Sequence, residues 1–473
     1  MITFQDLSGM GTDDYDVLLK IITEYKASNM YQNAKIGDDY ARQLNTTITN
    51  YQKLLYTMSG KAVPDNFSAN HKCASNFFNR FVTQQASFLL GNGANFENEN
   101  TKEMLGDDFD KQLYFAGKNA LIHGVSYGFF NFDHVEIFTA LEFAPVYDEE
   151  NGSLRAGVRF WQLDDRKPLR FTFYSEDGYQ HFIVKDGAPQ PFSEKRPYKI
   201  TKVETNADGE QIVNGENYPS FPIVPLWGNP FHQSEIVGIR AEIDCYDLIK
   251  SGFANDLDDA SQIYWTLENA GGMDDMDLAK FIQRMKTVHA ATVGEEGDGV
   301  KATSHTIDVP YQSRETYLDR LEKDLYKDYM ALDVENMASG AMTATQILAA
   351  YEKVNEKTDE FEFNVLDFVK ELLELNGMDD KVTFTRSMIV NQQEMVTTIL
   401  AASANLPEEY IVKKLLDVFG DTDKAKEILG QLDAENMDDM DMFGDEEEES
   451  DSVADFEDFT NEIVSMLEEL TKE

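Results

Sequence analysis

The sequence predicts an α+β fold, mainly helical, with its strands gathered in one central stretch. Three observations predict it. Apolar residues recur at steps of three and four through several long stretches, the longest over residues 343–375. Between about 125 and 215 the period changes to two. There three turn dipeptides, Asn151-Gly152, Asp177-Gly178 and Asp208-Gly209, follow one another between β-rich runs, each a hairpin signal. A proline-punctuated stretch at 218–230 then separates the strands from a second run of helices, because proline cannot continue a helix interior.

The 473 residues are 42% hydrophobic, enough chain for a sizeable core in two or three domains. The net charge of -46 is extreme. Such a charge keeps a chain in solution and argues against tight binding to DNA or an anionic membrane, which needs clustered Lys and Arg. Two cysteines, Cys73 and Cys245, fit a reduced compartment with neither a disulfide framework nor a zinc pattern. The first residues show no basic start followed by an apolar segment, so no signal peptide is expected. No apolar run approaches the roughly 20 residues that span a bilayer.

In chain order, residues 15–60 read as polar helix with a break expected near Gly37. A stronger helix is expected from Asp65 to Leu90, with Cys73, Phe77, Phe81 and Phe88 as its stripe and Gly91 and Gly93 as its stop. Asp107 is placed to cap a helix through His123, which Gly124 closes. After the proline stretch, Ser234 is expected to cap a helix of about 25 residues, roughly 37 Å long. Its stripe is Ile236, Ile239, Ile243, Tyr246, Ile249, Phe253, Leu257 and Ala260. Residues 265–310 read as a small α/β insertion, with a helix near 277–288 and short strands in TVHAATV and HTIDVPY. Ser313 starts a returning helix with Leu318, Leu321, Leu325, Tyr329 and Leu332 on its stripe.

The stretch ALDVENMASGAMTATQI (331–347) then interrupts two helices with small, neutral residues. The helix from Thr343 to Leu375 follows, with Ile347, Tyr351, Val354, Thr358, Phe361, Val365, Phe368, Leu372 and Leu375 in alternating steps of four and three. That period of 3.5 marks long helix-on-helix packing. Shorter helices are expected in 390–432, one with Pro407 at its first position. Residues 433–452 read as an acidic tether, and Phe456, Phe459, Ile463, Met466 and Leu470 as the stripe of a terminal amphipathic helix.

No catalytic constellation emerges, so no enzyme activity, cofactor or metal is expected. LLGNGANF (89–96) lacks the Lys-Ser/Thr ending of a phosphate-cradling loop. The histidines are scattered, without an HExxH or CxxC pattern. MDDMD occurs at 273–277 and 437–441, and clustered Asp suits Mg²⁺ or Ca²⁺. The second copy, however, has Phe443 and Ser450 where a calcium loop needs carboxylates or amides, and a solvated acidic loop is the better reading of both. Arg155, Arg159, Arg166, Lys167 and Arg170 are interrupted by Asp164 and Asp165 and read as surface ion pairs rather than a nucleic-acid patch.

The order of elements, with four stretches of sequence, resembles the portal proteins of long-tailed bacteriophages. VPLWGNPFHQSEIVGIRAEIDCYDLIKSGFANDLDDA (224–260) is similar to that family's approach to its first stem helix. RETYLDRLEKDLYKD (314–328) resembles its second stem helix, NRFVTQQASFLLGNGANF (79–96) its N-terminal helix and turn, and SANLPEEYIVKKL (403–415) a C-terminal helix. The resemblance covers about 15–430.

It implies a portal fold with wing, stem, clip and crown, assembling into a dodecameric ring at one capsid vertex. The terminase motor would pump DNA through that ring, and head–tail connector proteins would dock on it. The implied divisions are a wing at 1–232, a first stem helix at 233–264 and a clip at 265–310. A second stem helix at 311–332 would precede a tunnel loop and long wing helix at 333–378, crown helices at 379–432 and the acidic tail at 433–473. Asp333, Glu335, Met337, Ser339, Gly340, Ala341 and Met342 would line the DNA channel. Ile239, Ile243, Tyr246, Ile249, Leu318, Leu321 and Leu325 would pack the stem, and Ile347, Tyr351, Val354, Phe361, Val365 and Phe368 would pack against neighbouring copies. Implied partners are further copies of the chain, the terminase large subunit, the connector or adaptor, the major capsid and scaffolding proteins, and double-stranded DNA sliding through without specific grip. No membrane is implied. The implied location is the virion, with assembly in the host cytoplasm. An acidic metal-dependent enzyme and another capsid-associated adaptor stand as alternatives.

Overall fold

The computed structural model describes residues 2–8, 15–57, 59–66, 68–205, 211–260, 264–268, 276, 279–280, 283, 301–305, 310–334, 344–387, 392–403 and 406–419. One compact unit comprises Met1–Ala341 and Ile347–Ser387, and a second comprises Met342–Gln346 and Met388–Glu473.

The first unit opens with helices α1 (Phe4–Ser8), α2 (Asp16–Ala27), α3 (Asn29–Ala41) and α4 (Thr46–Thr49). The helical run breaks at Ser28 and not at Gly37. Ser28 is extended, and its hydroxyl accepts from the Tyr31 N–H, which starts α3. Gly37 sits inside α3, where a Cβ would stand 2.1 Å from the Ile122 carbonyl oxygen, so it permits a close helix crossing. A hairpin of β1 (Leu54–Tyr56) and β2 (Ala62–Pro64) follows. The helix expected from Asp65 begins only at Phe77, as α5 (Phe77–Leu90). Next come β3 (Ala94–Phe96), α6 (Glu99–Leu105) and α7 (Phe109–His123). Asp108 rather than Asp107 precedes α7, without a side-chain cap, and Gly124 closes it in the left-handed conformation as expected.

The strands are β4 (Val125–Asn131), β5 (His134–Thr139), β6 (Phe143–Tyr147), β7 (Leu154–Trp161), β8 (Arg170–Ser175), β9 (Gly178–Lys185), β10 (Ala188–Pro191), β11 (Lys199–Thr205), β12 (Gln211–Glu216) and β13 (Ile223–Trp227). They pair antiparallel, as the hairpin signals require, and form three sheets: β10-β9-β8-β7-β6, β13-β4-β5 and β11-β12. Asn151-Gly152 joins β6 to β7 and Asp177-Gly178 joins β8 to β9, while Asp208-Gly209 lies outside the described residues. The proline stretch is more than a boundary. Pro225 sits in β13 opposite Tyr127, and β13 is an edge strand, where a missing N–H is tolerated.

Helix α2 lays Val17, Leu18, Ile21, Ile22 and Tyr25 on Ala144, Val146, Val158, Phe171 and Phe182 of the five-stranded sheet. The larger core joins Phe78, Phe81 and Leu89 of α5, Leu113 and Ala120 of α7, and Tyr127, Phe129 and Phe138 of the three-stranded sheet.

The remaining elements are α8 (Ile236–Ala260), β14 (Tyr264–Glu268), β15 (Lys301–His305), α9 (Tyr311–Tyr329), α10 (Ala344–Leu375) and β16 (Val382–Phe384). In the insertion β14 pairs antiparallel with β15, Tyr264 opposite His305. Of the stretch HTIDVPY, His305 ends β15 and residues 306–309 lie outside the described residues. TVHAATV, and most of the helix expected near 277–288, lie outside the described residues.

The stripe of α10 is buried within the chain, as the period of 3.5 suggests. Tyr351, Val354, Phe361, Val365 and Phe368 are all covered by their own chain. Tyr351 stacks on Phe88 of α5, Phe361 meets Gly117 of α7, and Phe368 meets Gly128 of β4. The Ile347 side chain lies outside the described residues. Asn376-Gly377 ends the helix, Gly377 at φ +66°. The chain then returns as β16 to pair with β3, and the segment through Ser387 belongs to the first unit.

In the second unit α11 (Gln392–Ala402) and α12 (Glu408–Phe419) pack through Val396, Ile411 and Leu415. Pro407 stands just before α12, its carbonyl accepting from the Tyr410 and Ile411 N–H groups. The acidic tether and the terminal stripe lie outside the described residues.

Candidate functional site

The segment joining α9 to α10 is described at its root. Met330 takes a left-handed conformation, φ 62°, and turns the chain off the end of α9. Gln84 of α5 then holds Leu332 at both backbone groups: the Leu332 N–H donates to Gln84 Oε1 and Gln84 Nε2 donates to the Leu332 carbonyl, each at 2.9 Å. Beside it the Tyr329 hydroxyl donates to Gln85 Oε1 at 2.8 Å. From α10, Lys357 Nζ lies 3.4 Å from the centre of the Tyr329 ring and donates to the Tyr329 carbonyl at 3.1 Å and to Glu235 Oε2 at 2.7 Å. Both charged side chains of that pair are largely buried. Three helices and the start of α8 thus converge where the loop departs.

Glu235 is presented by the turn WGNPFHQSE. Asn229 organises it: Nδ2 donates to the Gln233 carbonyl and to Glu235 Oε1, each at 2.7 Å, while Oδ1 accepts from the Phe231 N–H. The Ser234 hydroxyl donates to the Ile122 carbonyl and accepts from the Ile236 N–H, so the expected cap also ties α8 to the end of α7.

Helices α8 and α9 form an antiparallel pair, with Arg314 bridging to Asp256 near one end and Leu325 buried near the other. An aromatic cluster fixes its base to α5: Phe81 stacks on Tyr329 at 4.9 Å and meets Tyr326 edge-on at 5.1 Å, and Phe77 meets Tyr246 edge-on at 5.0 Å. Ile239 and Ile243 are buried there, whereas Tyr246, Ile249, Leu318 and Leu321 are half-buried.

The expected apolar stripe of α8 does not continue inward. Leu257 is 52% exposed, and the buried face beyond Tyr246 is polar: Asp247, Ser251 and Asn255. These three accept from the Ser75, Cys73 and His71 N–H groups at 2.9, 2.9 and 2.6 Å. Asn45 Nδ2 also donates to Asp247. Here lies the reason α5 starts late: the backbone amides of 71–75 are held by α8 in an irregular strap. Burial pushes the Asp247 carboxyl up, against the bonds from Asn45 and Ser75.

Across the pair, Glu242 has a buried Oε2 with no donor. Its burial, then the adjacent Asp328 and Asp324, push its carboxyl up to about 7.

Of the expected channel residues, Asp333 is described, half-buried one residue past the Gln84 clamp. Glu335, Met337, Ser339, Gly340, Ala341 and Met342 lie outside the described residues. Gln84, Gln85, Glu235 and Lys357 escaped sequence reasoning. The one signal was the pair of adjacent glutamines within an otherwise apolar helix face. Among the described residues, no group of three or more His, Cys, Asp or Glu could hold a metal ion, and no helix is long and apolar enough to cross a membrane.

The polar side chains of this region join helices to one another and to backbone, the arrangement of a structural scaffold. Residues 15–438 match the family described as phage portal protein, SPP1 Gp6-like. Over 390 residues the chain is 25% identical to the portal protein of Clostridium phage phiCD119, covering 73% of this chain and 81% of that relative. The chain belongs to the phage portal protein family, a structural family, which bears out the resemblance seen in the sequence.

Proposed function

We propose that the chain assembles into a ring of twelve copies at one capsid vertex, through which the terminase motor packages DNA and from which DNA later exits. In this reading α8 and α9 are the stem, and the insertion bearing β14 and β15 is the clip that meets the motor and then the connector. The first unit outside them, including β16, is the wing, and the helices from α11 onward are the crown. The loop between α9 and α10 surrounds the DNA, with Asp333 and Glu335 repelling phosphates and Met337, Ser339, Gly340, Ala341 and Met342 forming a small-residue collar.

The observation that carries the reading, beside family membership, is apolar surface on the helical pair that its own chain leaves uncovered. Leu257 of α8 and Tyr311 and Tyr317 of α9 are exposed. Identical neighbours around a closed ring would cover them. The net charge of -46 per copy suits a conduit, because repulsion without Lys–phosphate contacts lets DNA slide. Family membership favours this structural role over a metal-dependent enzyme.

Replacing Ala341 with Lys should leave rings intact and slow DNA packaging, measured as DNA protected from nuclease inside heads. Unchanged packaging would remove the loop from the channel.

A further inference from the structure

Of the five basic residues expected in surface ion pairs, two form them: Arg155 with Asp148 and Glu176, and Arg159 with Glu136 and Glu142. Among the described residues, Arg166, Lys167 and Arg170 have no ion pair. Arg170 stands on the five-stranded sheet, on the face turned away from α2. Strand register fixes what stands beside it. Trp161 of β7 lies directly opposite Arg170 on one side and Ile183 of β9 on the other. Lys185 is two residues beyond Ile183 and therefore on the same face. Phe192 follows β10, and its N–H donates to the His181 carbonyl, which places it two residues from the Arg170 row in the opposite direction. The Arg170 guanidinium lies 5.2 Å from the centre of the Phe192 ring. Arg170 and Lys185 are exposed, as are Trp161 and Phe192, the last at 63%. No carboxylate stands on this face of β7 to β10. Strand β10 is the edge strand, and Pro189 and Pro191 rob it of N–H donors, so the face rather than the edge is open to a partner.

A complementary surface exists on α10. Glu356, Glu360 and Phe363 step by four and three on the side opposite its buried stripe, and all are exposed, Phe363 at 67%. Neither glutamate has an ion pair among the described residues. The spacings of the two surfaces agree. On the sheet, Phe192, Arg170 and Lys185 follow one another along the strand direction at intervals of about 7 Å. On the helix, Phe363, Glu360 and Glu356 follow in the same order at about 4.5 and 6 Å. The long Arg, Lys and Glu side chains absorb the difference, so the aromatic contact and both ion pairs can form together.

We propose that the outer face of β8, β9 and β10 of one copy seats α10 of a second copy. Phe363 covers Phe192, Glu360 meets Arg170 and Glu356 meets Lys185. The inward side of α10 is buried on α5, α7 and β4 of its own chain, so its outward side is the one left for another molecule. The second copy is the ring neighbour, and the inference rests on the ring reading. DNA is the weaker occupant: Asp164, Asp165 and Asp186 in the adjoining turns would face its phosphates, and Phe192 would lie against a polar backbone.

The test is a disulfide between Phe192→Cys and Phe363→Cys in full-length protein carrying Cys73→Ser and Cys245→Ser, with ring formation first verified by native mass spectrometry. Docking predicts covalent multimers reaching ring size on oxidation, absent from either single cysteine variant. Rings that form without crosslinks would overturn the docking and leave the ring standing. Absence of rings from the unsubstituted protein would overturn both. Independently, Arg170→Glu with Lys185→Glu should lower the assembled fraction by about tenfold, and Glu356→Lys with Glu360→Lys in the same chain should restore it. Normal assembly of the charge-reversed protein with weakened retention of a DNA duplex would assign the face to DNA and overturn the proposal.

Discussion

Lys357 is the side chain on which the loop root depends. It meets Glu235, the Tyr329 carbonyl and the Tyr329 ring, and no solvent shell replaces all three when it is removed. Lys357→Met should therefore cost about 3 kcal/mol, the usual loss when one partner of a buried pair is deleted. Urea unfolding measures it, and a cost under about 1 kcal/mol would mean the pair behaves as a surface one. Glu242 gives a second prediction, with a sign. Its folded-state carboxyl titrates near 7 against an ordinary 4.5, so the folded state favours the protonated form. Its contribution is fully present below 4.5 and is lost as pH rises through about 7. Glu242→Gln should consequently gain melting temperature relative to the unsubstituted protein between pH 5 and pH 8. A constant difference across that range would rule out the raised carboxyl. Neither site was legible in the sequence, because spacing reveals partners within one element, whereas Lys357 and Glu235 are 122 residues apart.

Helices α8 and α10 show what apolar spacing can and cannot reveal. In α10 the inward positions are apolar or Thr, and the described ones are buried, so the period of 3.5 located the buried face correctly. It could not say whether the cover came from the same chain or another. In α8 the inward positions past Tyr246 are Asp247, Ser251 and Asn255, which any hydropathy pattern assigns to solvent. They are buried because they face a strap of backbone, whose N–H groups need acceptors rather than methyl groups. The same strap explains why a stripe that runs through Cys73 does not form helix there. Asp247→Ala would leave the Ser75 N–H without its acceptor and Asn45 Nδ2 with the Ser75 carbonyl alone, at roughly 1–3 kcal/mol. Amide exchange at 71–75 should then quicken well ahead of α5 itself. Equal acceleration in both would show that the strap and α5 open as one unit. Hairpins were legible because Asn-Gly and Asp-Gly turns are local, but their division into three sheets was not, since it depends on which strands pair at long range.

For the molecule as a whole, the chain buries its longest apolar stripe internally and leaves Leu257, Tyr311 and Tyr317 of the α8–α9 pair exposed. Exposed apolar side chains on that pair are what the proposed closed assembly would cover. The order of elements carried the family resemblance where no single motif did, and the match over 15–438 has the same extent. The decisive measurement is cryo-electron microscopy of the purified full-length protein, with stoichiometry from native mass spectrometry. The account predicts a closed twelve-membered ring whose narrowest point is formed by residues 331–347. Monomers at every concentration, or a ring with those residues on its outer surface, would contradict it.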